Sequence, residues 1–281
     1  MRQLIIVLFC LVLSSCVNDK INYQELASCQ DHTIPDLKNE VQSVSRVLVV
    51  VPHADDEIAA SGLILYFREK GATAHLLTLC NHEEPRQSEL KCAAETLGFE
   101  KYENAGFINN EWEDIIENKI VFWNDNKTHI KTVIQEKIKA YKPDAIITYD
   151  SQMGATGHPE HLISAQIVEG IFKENNDEIT FGLKYLFQIT LPQKLEKILV
   201  AETKMYKMTK YITQASGLPR PNVALDIKKY WPIKNKAGFC HQSQIHILKK
   251  VYMVYDKENM VSHINTFAKE YYKMLKLKKN T

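Results

Sequence analysis

Val47-Leu48-Val49-Val50-Val51-Pro52-His53-Ala54-Asp55-Asp56-Glu57 is the stretch on which the fold turns. The β-branched run Val47-Leu48-Val49-Val50, closed by Pro52, predicts a buried strand that stops there. The following residues, Ile58 to Phe67, predict a helix, with Gly71 as its stop. One histidine and three carboxylates are thereby crowded onto a strand-to-helix turn. In an open parallel sheet, ligands bind beyond the carboxyl ends of the strands. Adjacent acids repel one another on a plain surface, and a divalent cation relieves that repulsion.

The pattern repeats outward from this turn. Thr73 to Leu79 reads as a second strand, Cys80 to Pro85 as a polar loop, and Arg86 to Leu97 as a helix stopped by Gly98. Residues 99–125 are aromatic and acidic without a clean period, which predicts a long ordered connection near a site. Of its tryptophans, Trp112 and Trp123, at least one is expected to fill core. A helix capped by Asp125 or Asn126 then runs through Lys142, and Pro143 separates it from a strand at Ala145–Tyr149. That strand leads into Asp150-Ser151-Gln152-Met153-Gly154-Ala155-Thr156-Gly157-His158-Pro159-Glu160-His161 and a further helix.

Strands alternating with helices predict an α/β fold: Rossmann-like, with a mainly parallel sheet flanked by helices in a single domain. The second half is less regular. Strands are expected within 181–190 and 222–227, and helices over 198–212 and 244–276, the latter broken near Asp256. Tyr252, Tyr255, Tyr271 and Tyr272 fall at helical spacing and are expected in core or interface.

The 281 residues are 45% hydrophobic and 25% charged with a formal net charge of +1, enough for one large core. No basic block precedes Lys276, Lys278 and Lys279, which read as a solvated helix end, so no nucleic-acid partner is expected. At the other end, Met1-Arg2-Gln3 followed by Leu4–Leu13 has the charged and apolar regions of a secretory signal, too short to span a membrane comfortably. Leu13-Ser14-Ser15-Cys16 resembles the bacterial lipobox, which implies cleavage before Cys16 and its acylation. The expected organisation is a lipoprotein signal peptide at 1–15, an acylated Cys16 and tether over 16–44, and a catalytic domain over 45–281. The location implied is the bacterial cell envelope, lipid-anchored to a membrane; the alternatives are an ordinary signal peptide or an uncleaved anchor. Cys29, Cys80, Cys92 and Cys240 show no metal-type spacing and are expected as buried free thiols.

His53 and Asp56 are spaced i, i+3, so one helical turn puts both on one face, and His158 and His161 repeat the spacing. Imidazole and carboxylate donors suit zinc, with a third ligand leaving a position open. One of the two later histidines completes such a site, and the other stays free for proton transfer.

These residues also carry a resemblance. Pro52-His53-Ala54-Asp55-Asp56-Glu57 and His158-Pro159-Glu160-His161 resemble two motifs of the PIG-L/LmbE-like zinc de-N-acetylases. Arg86-x-x-Glu89-x-x-x-Ala93 with Leu97-Gly98, and Lys234-x-x-Ala237-x-x-x-His241-x-Ser243-Gln244, follow the same family in order and spacing. The resemblance implies Zn2+, or another divalent transition metal, held by His53, Asp56 and His161. It implies Asp55 as the general base and His158 as the group that stabilises the oxyanion and protonates the leaving amine. Glu160, where the family more often has Asp, is expected to orient His158. Thr156 stands where several members carry a Tyr that contacts the substrate carbonyl. Arg86 is expected either to hold sugar hydroxyls or to pair with Glu89, Asp150 to bond toward the site or cap its loop, and His241 to close the pocket. Glu57 is expected only to start a helix. The expected substrate is an N-acetylglucosamine-type sugar or glycoconjugate. The competing readings are an amidase acting on another exported conjugate and a non-catalytic carbohydrate-binding lipoprotein.

Overall fold

The computed structural model describes residues 23–277 apart from 42, 175–179, 181 and 252–259. The signal-like segment, Cys16, Tyr252, Tyr255, Asp256, Lys278 and Lys279 lie outside the described residues. Seven strands form one sheet: β1 (Arg46–Val51), β2 (Thr73–Cys80), β3 (Lys101–Phe107), β4 (Ala145–Tyr149), β5 (Tyr185–Thr190), β6 (Val223–Asp226) and β7 (Lys269–Lys276). Their order is β3-β2-β1-β4-β5-β7-β6. The first five pair in parallel, and β7 runs antiparallel between β5 and β6.

Alternation along β1 explains why its sequence reads as one apolar run. Val47, Val49 and Val51 enter the core on one face of the sheet, and Leu48 and Val50 the core on the other. Both faces are covered by helices, so neither parity needs polar residues. Fully burying each such side chain contributes about 1.5–3 kcal/mol. Helices α1 (Ser61–Glu69), α2 (Arg86–Leu97) and, later in the chain, Trp231–Gly238 supply Leu63, Ile64, Leu90, Ala94 and Ala237 to the first core. Helices α3 (Lys127–Tyr141) and α4 (Pro159–Glu174) supply Ile130, Ile134, Ile138, Val168 and Ile171 to the second.

Four expectations need correction. The connection at 99–125 contains a strand, β3, whose outer position leaves most of its residues exposed or half-buried. The expected helix to Lys276 instead ends in β7, where Tyr271 and Tyr272 pack into different cores as strand alternation requires. The expected helix at 198–212 is two, Gln193–Leu199 and α5 (Lys204–Thr213). Cys92 and Cys240 are joined in a disulfide, while Cys29 and Cys80 are the buried free thiols. The lead-in is also packed: Leu37 joins the main core, and Leu26 and Cys29 pack with Leu195, Ala224 and Tyr271.

The winding places the site. From β1 the chain moves outward through β2 to β3, then returns to β4 on the other side of β1. The turns after β1 and β4 therefore open a crevice at the switch point of the sheet.

Candidate metal centre and active site

The turn after β1 is clamped one backbone amide at a time. The His53 N–H donates to Asp56 Oδ2 (2.7 Å), the Ala54 N–H to His82 Nε2 (3.1 Å) and the Asp55 N–H to Glu57 Oε2 (3.0 Å). Arg86 donates to the Ala54 carbonyl. These bonds hold Asp55 at φ +117°, a conformation that costs a non-glycine residue roughly 1–3 kcal/mol.

The loop after β4 is fixed differently. The buried Asp150 carboxylate accepts the amides of Gln152, Met153 and Ala155, so it builds the loop and does not bond to His158. Gly154 lies at φ +59° with a side-chain position only 2.6 Å from the Leu162 nitrogen, and only glycine fits there. Its carbonyl accepts from His161 Nδ1 (3.3 Å). Thr209 on α5 bonds the Gly157 carbonyl from behind.

These two turns bring His53, Asp56 and His161 together. His53 Nδ1 is 3.2 Å from Asp56 Oδ2 and 3.2 Å from His161 Nε2, and His161 Nε2 is 3.3 Å from Asp56 Oδ1. Tetrahedral zinc with bonds of about 2.0–2.1 Å holds its donors about 3.3–3.4 Å apart. The tautomers agree. His53 Nε2 donates to Glu160 Oε2 (2.6 Å) and His161 Nδ1 donates to the Gly154 carbonyl, which leaves His53 Nδ1 and His161 Nε2 as the ring nitrogens that can face a metal. The donor set therefore fits a divalent metal with three protein ligands. Two further trios of ligand atoms converge among the described residues: His53, His158 and His161, which puts His158 within reach of the same centre, and His53, Cys80 and Glu160, on the Nε2 side of His53.

Electrostatics without a metal follow the same logic. Burial works against the Asp56 carboxylate, but His161 and His53 hold its pKa well below the ordinary range. Burial would lower His53, yet Cys80 and Asp56 raise it well above its usual value, so a proton competes for the metal position. Burial, with the charges of His161 and His53, holds His158 well below its usual value and therefore neutral. Its ring stacks on His161 at 4.5 Å. Burial and then the Asp56 charge push Asp55 up to about 7, opposed by Arg86, His241 and His53. Burial and the Arg86 charge take His82 down to about 3, so it accepts the Ala54 amide as a neutral ring.

Several assignments change with the geometry. Glu160 serves both histidines: its Oε2 faces His53 Nε2, its Oε1 accepts from the Asn110 backbone (3.2 Å) and side chain, and its backbone N–H, not its carboxylate, donates to His158 Nδ1 (3.3 Å). Glu57 does more than start a helix, being fully buried between the Asp55 amide and His241 Nε2 (2.6 Å). Arg86 Nη2 lies 3.4 Å from Asp55 Oδ1, while Glu89 accepts from the Ser243 amide and hydroxyl (2.7 and 2.6 Å). Thr156 lines a mainly apolar cavity of about 130 Å³ beside Tyr149, whose hydroxyl donates to Asp56 Oδ1 (2.8 Å). Sequence reasoning missed the roles of His82 and Asn110; a polar loop after β2 was its only signal for the first. Trp123 is buried and Trp112 half-exposed.

Residues 48–172 match the family model described as PIG-L, GlcNAc-PI de-N-acetylase. Over that segment, somewhat less than half of the chain, the sequence is similar to the PIG-L family. Among solved structures, the chain is similar to N,N'-diacetylchitobiose deacetylase from Pyrococcus horikoshii (16% identity, TM-score 0.51, covering 85% of this chain and 87% of that one). It is also similar to a deacetylase of the teicoplanin biosynthetic pathway (14%, TM-score 0.56, 84% and 100%). A third, GalB, a 4-carboxy-2-hydroxymuconate hydratase from Pseudomonas putida, shares the fold at 15% identity and TM-score 0.50, covering 84% and 99%. At these identities the likeness concerns the fold, and the hydratase shows that the fold alone does not set the reaction. No curated protein matches the sequence.

Proposed function

We propose that this protein hydrolyses the N-acetyl group of an N-acetylglucosamine-type sugar or glycoconjugate, with zinc or a similar divalent ion held by His53, Asp56 and His161. The observation that carries the reading is the convergence of His53 Nδ1, His161 Nε2 and the Asp56 carboxylate within 3.2–3.3 Å of one another. A divalent ion bound there lowers the pKa of water and polarises an amide carbonyl.

The chain's own residues supply the rest. Asp55, beside the ligands, is the base that takes the proton of the attacking water; the positive charge of the ion draws its pKa down from about 7 and keeps it ionised. His158 stays neutral, stacked on His161, and would donate a hydrogen bond to the carbonyl oxygen, while the proton that Asp55 takes from the water is the one passed on to the departing amine. Arg86 lies between Asp55 and the polar pocket of Glu83, Glu84, Asn109 and Glu111, which suits a polyhydroxylated substrate.

The same reading places the enzyme in a bacterial envelope through an acylated Cys16. The Cys92–Cys240 disulfide supports export, because such bonds persist in oxidising compartments. A panel assay of acetate release over N-acetylated sugars, peptidoglycan fragments and glycolipids tests the activity. Release from at least one amino-sugar substrate, abolished by chelation and restored by zinc, is the expected result. Failure on every N-acetyl sugar together with turnover of another amide favours the amidase alternative.

A further inference from the structure

The pair His241–Glu57 is one of the most deeply buried polar contacts in the molecule, and the proposed chemistry does not use it. Both side chains are fully buried and His241 Nε2 lies 2.6 Å from Glu57 Oε1. The second Glu57 oxygen accepts the Asp55 amide at 3.0 Å. Among the described residues His241 Nδ1 has no hydrogen-bond partner, so the ring's polar contact is directed wholly at Glu57. His241 itself sits on a stiff support: Cys240 is bonded to Cys92 on α2, and Ser243 is held by Glu89 on the same helix.

We infer that His241 and Glu57 form a positioning pair that fixes the Asp55 carboxyl in its working place. The inference rests on the reading of Asp55 as the base. The physical reason is the backbone of Asp55, which at φ +117° does not hold itself. With the Glu57 bond broken, the peptide can rotate toward ordinary φ, and the carboxylate leaves its position beside Asp56 and Arg86. A displacement of about 1 Å at a reacting group can cost roughly 100-fold in rate. Substrate contacts and the three metal ligands are not part of this linkage, so their contributions stay. The staple between α2 and Cys240 carries the alignment of the base back to a helix on the flank of the sheet.

The test uses His241→Asn, Glu57→Ala and Glu57→Gln in the full mature chain. For the first two, kcat falls on the order of 10–100-fold while KM and metal affinity, titrated into metal-free protein, stay within about twofold. Glu57→Gln retains an oxygen for the Asp55 amide but turns its amide group toward His241, so its rate falls between those of wild type and Glu57→Ala. Added to Asp55→Asn, His241→Asn lowers the residual rate less than about twofold, because the group it positions is already gone. Independently of any substrate, hydrogen exchange at the Asp55 amide speeds up in His241→Asn and Glu57→Ala, while β1 amides keep their protection. Equal rate losses with and without Asp55, or unchanged exchange at Asp55, overturns the inference. If acetate release is absent from wild type but the exchange result holds, the deacetylase reading fails and the positioning pair stands.

Discussion

Replacing Glu160 with Gln separates two accounts of how the second histidine motif works. The Glu160 carboxylate is fully buried and takes the His53 Nε2 proton at 2.6 Å on one oxygen and Asn110 on the other. Gln offers one oxygen for two donors, so its amide group must face either the His53 N–H or Asn110, donor against donor. The loss is a charge-assisted hydrogen bond, worth about 1.5–3 kcal/mol, and with it the preference that keeps His53 Nδ1 free of hydrogen. At about 1.4 kcal/mol per factor of ten, metal affinity weakens roughly 10–100-fold, the range typical of partners behind a ligand histidine. The assay is zinc titration of metal-free protein against a competing chelator at constant pH. An unchanged dissociation constant together with a reduced kcat would refute this reasoning and return Glu160 to orienting His158.

Other consequences follow from parts of the fold farther from the metal. Cys92→Ser/Cys240→Ser opens a loop of 148 residues; chain entropy puts the lost stability near 5 kcal/mol as an upper figure, measurable by urea unfolding. No change in the midpoint would mean that the bond does not form in solution. Asp150 has its pKa raised by burial to about 6 from 3.8, against the pull of the three loop amides. Its neutral form is favoured in the folded state, so its stability contribution is full below about pH 4 and is lost as pH rises through about 6. Wild type should therefore lose about 3 kcal/mol relative to Asp150→Asn across that window in metal-free unfolding curves; a constant difference contradicts it. Cys16→Ser should release the protein from membranes, and continued tight association would point to an uncleaved helix.

Legibility in the sequence tracked how local each signal was. The strand before His53 and the helix ending at Gly98 declare themselves within a dozen residues, through apolar parity and a left-handed cap at φ +71°. The convergence of the two turns was legible because they repeat one i, i+3 pattern, while the choice of His161 over His158 came from the family resemblance and not from the spacing. β7 was not, since Lys269-Glu270-Tyr271-Tyr272-Lys273-Met274-Leu275-Lys276 contains mostly helix formers and becomes a strand through its pairing with β5 and β6. β3 lies at the sheet edge, where exposure removes the apolar run that marks an inner strand. The partners of Glu57 and Cys92 lie 184 and 148 residues away, and no local pattern encodes a contact at that range. Glu160 was half legible for a related reason: its backbone amide meets its sequence neighbour His158, but its carboxylate meets His53, 107 residues away.

The central claim is a metal held by His53, Asp56 and His161 beside a base at Asp55. It is tested most directly by measuring metal content and acetate release in parallel for wild type and Asp55→Asn. The account predicts about one divalent ion per chain in both proteins, with acetate release lost on the order of 100-fold or more in the variant. A wild-type protein that neither contains nor takes up metal, or an Asp55→Asn variant that hydrolyses as fast as wild type, contradicts it.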